Sequence, residues 1–552
     1  MQALDNEKHV AMSDNIDKRH FDVIIVGGGV TGAGVARDCA LRDLSVLLIE
    51  RGDYCSGASG RNHGLMHSGA RYAVTDGDSA RECIAENIIL RHIASHCIEQ
   101  TDGLFVTLPE DDPGYQATFV DACNAAGIRA DVLDPADALQ LEPALNPGIT
   151  GAVRVPDAAI DPFRLTTANL LDANLHGATT LNYHEVTDLI VEQHRVVGVR
   201  AIDRRSREQR EFRATVTINA AGIWGAQLLQ RAGVTLNMFP AKGAMLIFGR
   251  RVNKMVINRC RKPSNADILV PDDTVSVIGT TSDRITIDQI DDMRVSADEV
   301  DTLLSGSVKL VPSLATTRIL RAFAGVRPLV AADDDPSGRS ISRGIVCIDH
   351  DERDGMAGLI TITGGKLMTY RLMAQQATDM ACRKLGNERA CETATTPLPG
   401  SRREMAPLTL ASPHALKSAR SRHGDLADEM DLTTGINRVQ VCECQGVSVG
   451  EIEYAVQHFG VRTLGNLRRR TRLGMGVCQG KMCAARAACL MGRLNGDVQA
   501  AKDDLAHFLD ERWRGIKPVA WGNALREAQL TATIYQGLCG LDMAITRKEG
   551  DA

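Results

Sequence analysis

Four cysteines late in the chain form two close pairs, Cys442-Glu443-Cys444 and Cys478-Gln479-Gly480-Lys481-Met482-Cys483, each beside glycines (Gly446, Gly474, Gly476, Gly480). Thiolates at such spacing are metal ligands, and glycines let backbone N–H groups approach the sulfurs and offset their charge. Two metals compete for the set. Structural zinc usually draws on C-x2–4-C pairs, and a C-x-C pair strains tetrahedral coordination at one ion. In a [2Fe–2S] cluster each iron takes two thiolates, which makes the site an electron carrier.

A second set lies near the N-terminus. The apolar run 21–26 leads into Gly27-Gly28-Gly29-Val30-Thr31-Gly32, a small-residue segment over 33–41, and a second apolar run, 46–49, closed by Glu50-Arg51. Gly27, Gly29 and Gly32 fill a G-x-G-x-x-G pattern: tight turn, close approach to a pyrophosphate, and helix packing on strand. Glu50 is placed for ribose hydroxyls. This strand–helix–strand unit binds a dinucleotide but does not separate FAD from NAD. An NAD domain would continue into another helix–strand repeat. Here the chain instead reads Ser59-Gly60-Arg61-Asn62-His63-Gly64-Leu65-Met66-His67-Ser68-Gly69-Ala70-Arg71-Tyr72, polar and rich in Gly and Ser.

The elements that must position these residues follow from composition. A chain of 552 residues exceeds one compact core, and 50 Gly against 4% aromatics suits an α/β protein with backbone-lined sites. A net charge of -6 argues against nucleic-acid binding, and Arg468-Arg469-Arg470 reads as a solvated helix face. No apolar run reaches the roughly 18 residues of a membrane span. Residues 1–20 read as a disordered leader without a secretion signal. The odd count of 15 Cys points to a reducing, intracellular setting, with Cys39, Cys83 and Cys123 as small buried hydrophobes.

The stretch 59–72 resembles the loop beneath the isoalloxazine ring in the glycine oxidase and D-amino-acid oxidase superfamily. Three further segments share that resemblance: Asn219 to Trp224, Ile278 to Thr281, and Thr363-Gly364-Gly365-Lys366-Leu367-Met368-Thr369-Tyr370-Arg371, which opens a helix aimed at the flavin. It implies FAD held by Gly27, Gly28, Gly29, Gly32, Glu50, Arg51, Ser59, Arg61, Asn62, Gly222, Gly364, Gly365 and Lys366. The implied fold is a doubly wound, Rossmann-like FAD domain interleaved with an antiparallel-sheet substrate domain. The FAD part is expected over about 21–85, 150–225 and 340–385, and the substrate part over 86–149 and 226–339.

His67, Arg71-Tyr72, Ala324-Gly325-Val326-Arg327-Pro328-Leu329 and Gly364-Gly365-Lys366 together are similar to the FAD-dependent glycerol-3-phosphate dehydrogenases. The resemblance implies Arg71, Tyr72, Arg327 and Lys366 around the substrate, with cations on its phosphate, and His67 as the base for the C2 hydroxyl. Arg327 can instead pair with Asp333 to Asp335, and Lys366, read in the first turn of a helix, opposes the macrodipole. The stretch 59–69 also resembles hydroxyglutarate dehydrogenases, so an FAD-dependent 2-hydroxy-acid dehydrogenase or amino-acid oxidase is the alternative. A non-catalytic scaffold binding zinc or sensing iron is a third reading.

From about residue 398 the composition turns linker-like, to 437. Residues 438–495 resemble the bacterioferritin-associated-ferredoxin-like domain, a small helical module, and depart from its C-x2-C second pair by having four intervening residues. That likeness implies a [2Fe–2S] cluster on Cys442, Cys444, Cys478 and Cys483. FAD and cluster modules in one chain imply the anaerobic branch of the family. There a large catalytic chain works with a second flavoprotein subunit and a membrane-anchoring Fe–S subunit that feeds quinone, at the cytoplasmic side of the inner membrane. Residues 496–552 are read as a helical tail whose Trp513, Trp521 and Tyr535 pack onto their own domain.

Overall fold

A computed structural model describes residues 20–330, 344–410 and 412–541. The leader expected over 1–20 lies outside them apart from His20, as do Asp333 to Asp335. The described residues divide into two units, one built from those up to 60, within 165–241 and within 326–399, the other from those within 61–164, 242–325 and from 400 onward.

In the first unit, strand His20–Val26 lies near the middle of an eight-stranded sheet. It runs parallel between Val46–Ile49 and Gln209–Asn219, with Ile25 opposite Leu48 on one side and Ile218 on the other. Parallel strands buried on both faces read as continuous apolar runs, as these do. Helices Val30–Leu41 and Tyr370–Leu385 cover one face, and Gly34 lets the Tyr370 ring approach closely. Strand Gln209–Asn219 changes neighbour along its length. Its first half pairs antiparallel with Arg195–Asp203, and Thr217 to Asn219 pair parallel with Leu359–Gly364. Val26 and Asn219 therefore end side by side at the carboxyl edge, where open α/β sheets bind ligands.

The second unit holds a nine-stranded, largely antiparallel sheet. Strands Gly103–Thr107, Gly151–Val155, Val256–Arg259, Ile268–Asp272 and Val275–Gly279 line its middle, and helix Ala297–Leu310 packs on the core they share. Residues 61–85 and 150–164, expected with the FAD part, cluster here, while 226–241 cluster with the first unit. The reason is local pairing: Leu65–Met66 joins Ala158–Ile160 antiparallel, away from the parallel sheet.

The segment 398–437 is not a linker. It forms helix His414–His423 and short turns that pack through Ala415, Ala419, Ala427, Met430 and Leu432. Buried Glu451 fixes it further by accepting from Arg422 at 2.8 Å. Beyond it, hairpin Gln440–Cys442/Val447–Ser448 and helices Val449–His458, Leu464–Thr471 and Ala484–Asn495 build a small core. Tail helices Val498–Ile516 and Asn523–Cys539 join it through Phe508 and Tyr535. The Tyr535 hydroxyl donates to the Lys481 carbonyl at 2.9 Å, whereas Trp521 stays half exposed. Arg468 and Arg470 correct the reading of a solvated basic face: both are buried, and Glu511 of the tail helix pairs with Arg468.

Candidate functional site

The glycine turn has the shape of a dinucleotide cradle. Gly27 adopts φ +114°, and a Cβ there would lie 2.6 Å from the Ala220 carbonyl. A Cβ on Gly32 would lie 1.9 Å from the Gly27 carbonyl, so only glycine lets the helix begin this close to the strand. Glu50 accepts from Gly28 N at 2.7 Å and from Gly52 N at 2.8 Å. Burial pushes its carboxyl up, and the two amides oppose that. Each oxygen keeps a lone pair for a ribose hydroxyl. Ser59 Oγ accepts from Val30 N at 3.0 Å, and the N-cap residue, Gly29, brings no side chain of its own, which leaves room for a pyrophosphate at the positive end. Arg51 stacks 4.4 Å above the Trp224 ring, within the turn that Gly222 opens.

The loop carrying His67 is held from beneath. Ser68 donates to Asp157 Oδ1 from both its N–H and its hydroxyl, each at 2.7 Å, and Asn258 donates to Oδ2 at 3.2 Å. Asn87 donates to the His67 carbonyl at 3.0 Å. His67 is buried, edge-on to the rings of Tyr72 at 5.5 Å and His63 at 6.4 Å. Arg71 Nη2 donates to Asp267 Oδ2 at 2.9 Å, while its buried Nη1 has no hydrogen-bond partner. A buried N–H facing nothing is costly, and an anion would satisfy it. In the same unit the Asn62 side chain accepts from Gly64 N at 2.8 Å, and a Cβ on Gly325 would lie 2.0 Å from the Arg61 carbonyl. Asp157, Asp267 and Asn87 were not anticipated from sequence, since nothing local ties them to the loop.

His67, Arg71 and Tyr72 are thus brought together in the second unit, whereas Arg327 and Lys366 stand in the first. Arg327 is half-buried on strand Ile319–Val330. Lys366 is not in a helical turn. It is extended, at φ -132° and ψ 163°, ahead of the short turn Leu367–Thr369, and helix Tyr370–Leu385 begins later. Gly364 and Gly365, both with positive φ, make that approach possible.

The four cysteines converge. Cys444 Sγ lies 3.8 Å from both Cys442 Sγ and Cys478 Sγ, and Cys483 stands close enough to Cys442 and Cys478 to act on both. The long second pair folds back because Gln479 and Gly480 both take positive φ. Cys442 also receives the N–H groups of Gly474 and Gln445, and Cys478 those of Met482 and Gly480. The contacts among the thiols lower Cys442 and Cys478 and raise Cys444 and Cys483. Four sulfurs this close cannot all ionise without a cationic centre among them, and an all-thiolate set suits zinc or an iron–sulfur centre.

The family described as "FAD dependent oxidoreductase" matches residues 22–371, and the one described as "BFD-like [2Fe-2S] binding domain" matches residues 440–493. FAD and a [2Fe–2S] cluster are the cofactors of these domains, and the cradle and the thiol ring fit them. The chain is similar to the A subunit of the anaerobic glycerol-3-phosphate dehydrogenase of Escherichia coli (strain K12), 59% identical over 95% of this chain and 98% of the relative. The corresponding A subunit from Haemophilus influenzae is 55% identical over 94% and 93%. The fold is similar to that of the glycerol-3-phosphate dehydrogenase from Bacillus halodurans complexed with FAD. That likeness has a TM-score of 0.68 at 22% identity and covers 92% of this chain and 97% of that one. The chain belongs to the FAD-dependent oxidoreductases and, among them, to the family of anaerobic glycerol-3-phosphate dehydrogenase A subunits.

Proposed function

We propose that this chain oxidises sn-glycerol 3-phosphate to dihydroxyacetone phosphate and sends the electrons to partner subunits and, through them, to quinone. The observation that carries the reading is one chain holding both a His67–Arg71 loop with an unsatisfied buried N–H and a ring of four thiols. Bound FAD supplies a hydride acceptor and the [2Fe–2S] cluster a one-electron carrier.

The residues divide the remaining work. Arg71 Nη1 takes a phosphate oxygen while Asp267 keeps the guanidinium in place. Arg327 and Lys366 add cations for the dianion, in keeping with the family resemblance. His67 accepts the C2 hydroxyl proton, and Asp157 holds its loop through Ser68. Gly27, Gly28, Gly29, Gly32 and Glu50 hold the adenine dinucleotide half, and Cys442, Cys444, Cys478 and Cys483 hold the iron.

Both relatives are named as A subunits, which supports the presence of partner subunits. We take these to be a second flavoprotein and a membrane-anchoring Fe–S protein, which attach the chain to the cytoplasmic side of the inner membrane. Among the described residues no helix is long and apolar enough to cross a membrane. Anaerobic titration with glycerol 3-phosphate tests the reading. Flavin absorbance should bleach and a reduced-cluster EPR signal should grow; a flavin that stays oxidised sinks it.

A further inference from the structure

Helix Val498–Ile516 lies beyond residues 440–493, which match the iron–sulfur domain, yet it covers the turns that bear the cysteines. A Cβ on Gly480 would lie 2.6 Å from the Phe508 ring and one on Gly474 would lie 2.9 Å from it, so this ring closes off both turns. One helical turn later, Arg512 Nη2 donates to the Gly474 carbonyl at 2.8 Å, and its guanidinium stands 4.9 Å from the Phe508 ring centre. The N–H of Gly474 in turn bonds Cys442. A fixed positive charge is thus seated against the loop that contacts the sulfurs.

Arg512 has company. A Cβ on Gly515 would lie 2.8 Å from the Ala322 carbonyl, which sets this helix directly on the strand carrying Arg321. Arg468 approaches from helix Leu464–Thr471, and the fields of Arg321 and Arg468 both reach Arg512. Arg512, Arg468 and Arg321 are 4%, 7% and 9% exposed. Glu511 is the carboxylate whose field reaches both Arg512 and Arg321; it meets Arg468 at 3.1 Å and is itself 42% exposed. Nε of Arg512, and Nε and Nη1 of Arg321, are buried with no hydrogen-bond partner.

Arg512 and Arg321, with the field of Arg468 added, face one half-exposed carboxylate between them, which leaves positive charge in surplus where water is excluded. Guanidinium does not shed its proton in proteins, so a nearby anion must offset the excess. The thiolate ring is that anion, and the field of Cys483 reaches Arg512.

We propose that Arg512, backed by Arg321 and Arg468, raises the reduction potential of the iron–sulfur centre held by Cys442, Cys444, Cys478 and Cys483. With two ferric ions, two sulfides and four thiolates the oxidised centre carries two net negative charges. One electron from the reduced flavin makes it three, with no proton taken up, and the buried surplus stabilises that added charge. The tail helix is therefore a potential-setting element as well as a cover. The inference rests on the four cysteines holding the cluster. Iron and sulfide analysis of each protein separates a failure of that reading from a failure of this one.

The test is an EPR-monitored redox titration of the FAD- and cluster-loaded protein purified without oxygen. Arg512→Gln should weaken the one-electron reduction about tenfold, a midpoint about 59 mV lower, while Arg512→Lys, which keeps the charge, should recover most of the loss. Arg321→Gln, which leaves the Arg512 contact to the cysteine turn in place, should shift the midpoint the same way. Glu511→Gln should shift it upward. If Arg512→Gln loses its iron, the opposite signs of Arg321→Gln and Glu511→Gln carry the decision. Unchanged midpoints in iron-replete Arg512→Gln and Arg321→Gln, or a fall in Glu511→Gln, overturn the proposal. Substrate-driven flavin bleaching should keep its rate in all of them.

Discussion

Arg472 Nη1 donates to Asp161 Oδ2 at 2.9 Å across a sequence separation of 311, while its Nη2 reaches Asp272 Oδ2 at 3.0 Å and its Nε meets Gln445 Oε1 at 3.3 Å. One guanidinium therefore ties the residue next to Cys444 to the strand Ile268–Asp272 and to the segment that follows Ala158–Ile160. Both Arg472 and Asp161 are buried. Arg472→Ala would leave Asp161 with Arg164 as its remaining cation, so the cost should be at the lower end for a broken buried pair, about 3 kcal/mol. Urea unfolding of the variant reads that loss directly.

The same pair predicts an acid limb. Burial pushes the Asp161 carboxyl up, but Arg164 and Arg472 outweigh it and hold the group below the ordinary carboxylate range. A depressed folded value means stability that is present above the unfolded value, about 3.9, and is lost as pH falls through the lowered one. Below that window Arg472→Ala and the parent should converge in stability. A constant gap down to the lowest pH would show that charge is not what the pair contributes.

His67→Gln should slow substrate-dependent flavin bleaching by roughly 10^2- to 10^4-fold, with FAD and iron contents intact. Stopped-flow absorbance reads both rate and amplitude. A rate within a few-fold of the parent would assign the proton to another acceptor. Asp157→Asn should slow the step less, because it loosens the Ser68 anchor and leaves the imidazole in place.

Arg327→Gln separates a phosphate substrate from a plain hydroxy acid. Losing one charge-assisted contact costs about 1.5–3 kcal/mol, so KM for glycerol 3-phosphate should rise ten-fold or more. Reaction with a phosphate-free 2-hydroxy acid should hardly change. Equal losses on both would favour a hydroxy-acid dehydrogenase or amino-acid oxidase.

Protein purified without oxygen should carry two iron and two labile sulfide per chain, as a [2Fe–2S] centre requires. Cys478→Ser should lose both, along with the EPR signal, and still bleach its flavin with substrate. One zinc and no sulfide in the parent would end the electron-relay reading.

What could be read from sequence was what is local. Gly27, Gly32 and Glu50 fall within one strand–helix–strand unit, and their spacing carries its own geometry. The two cysteine pairs are equally local, and glycines beside them marked a crowded backbone. Asp157 and Asp267 were not legible. Each acts on a residue far along the chain, at separations of 89 and 196, and one aspartate looks like another until the fold sets a hydroxyl or a guanidinium against it. The segment 398–437 was misread because its polar composition hid a sparse apolar face that other elements cover.

The N-terminal cradle and the thiol pairs were thus legible in sequence alone, because backbone sterics and ligand type act over a few residues. Tertiary structure decided which charges face one another. It turned Arg468 from a solvated charge into a buried one, tied Arg472 to Asp161, and set Arg512 against the cysteine turns. The reason is physical: the energy of a charge depends on what excludes water from it and what stands within a few ångströms, and neither is written in the order of residues.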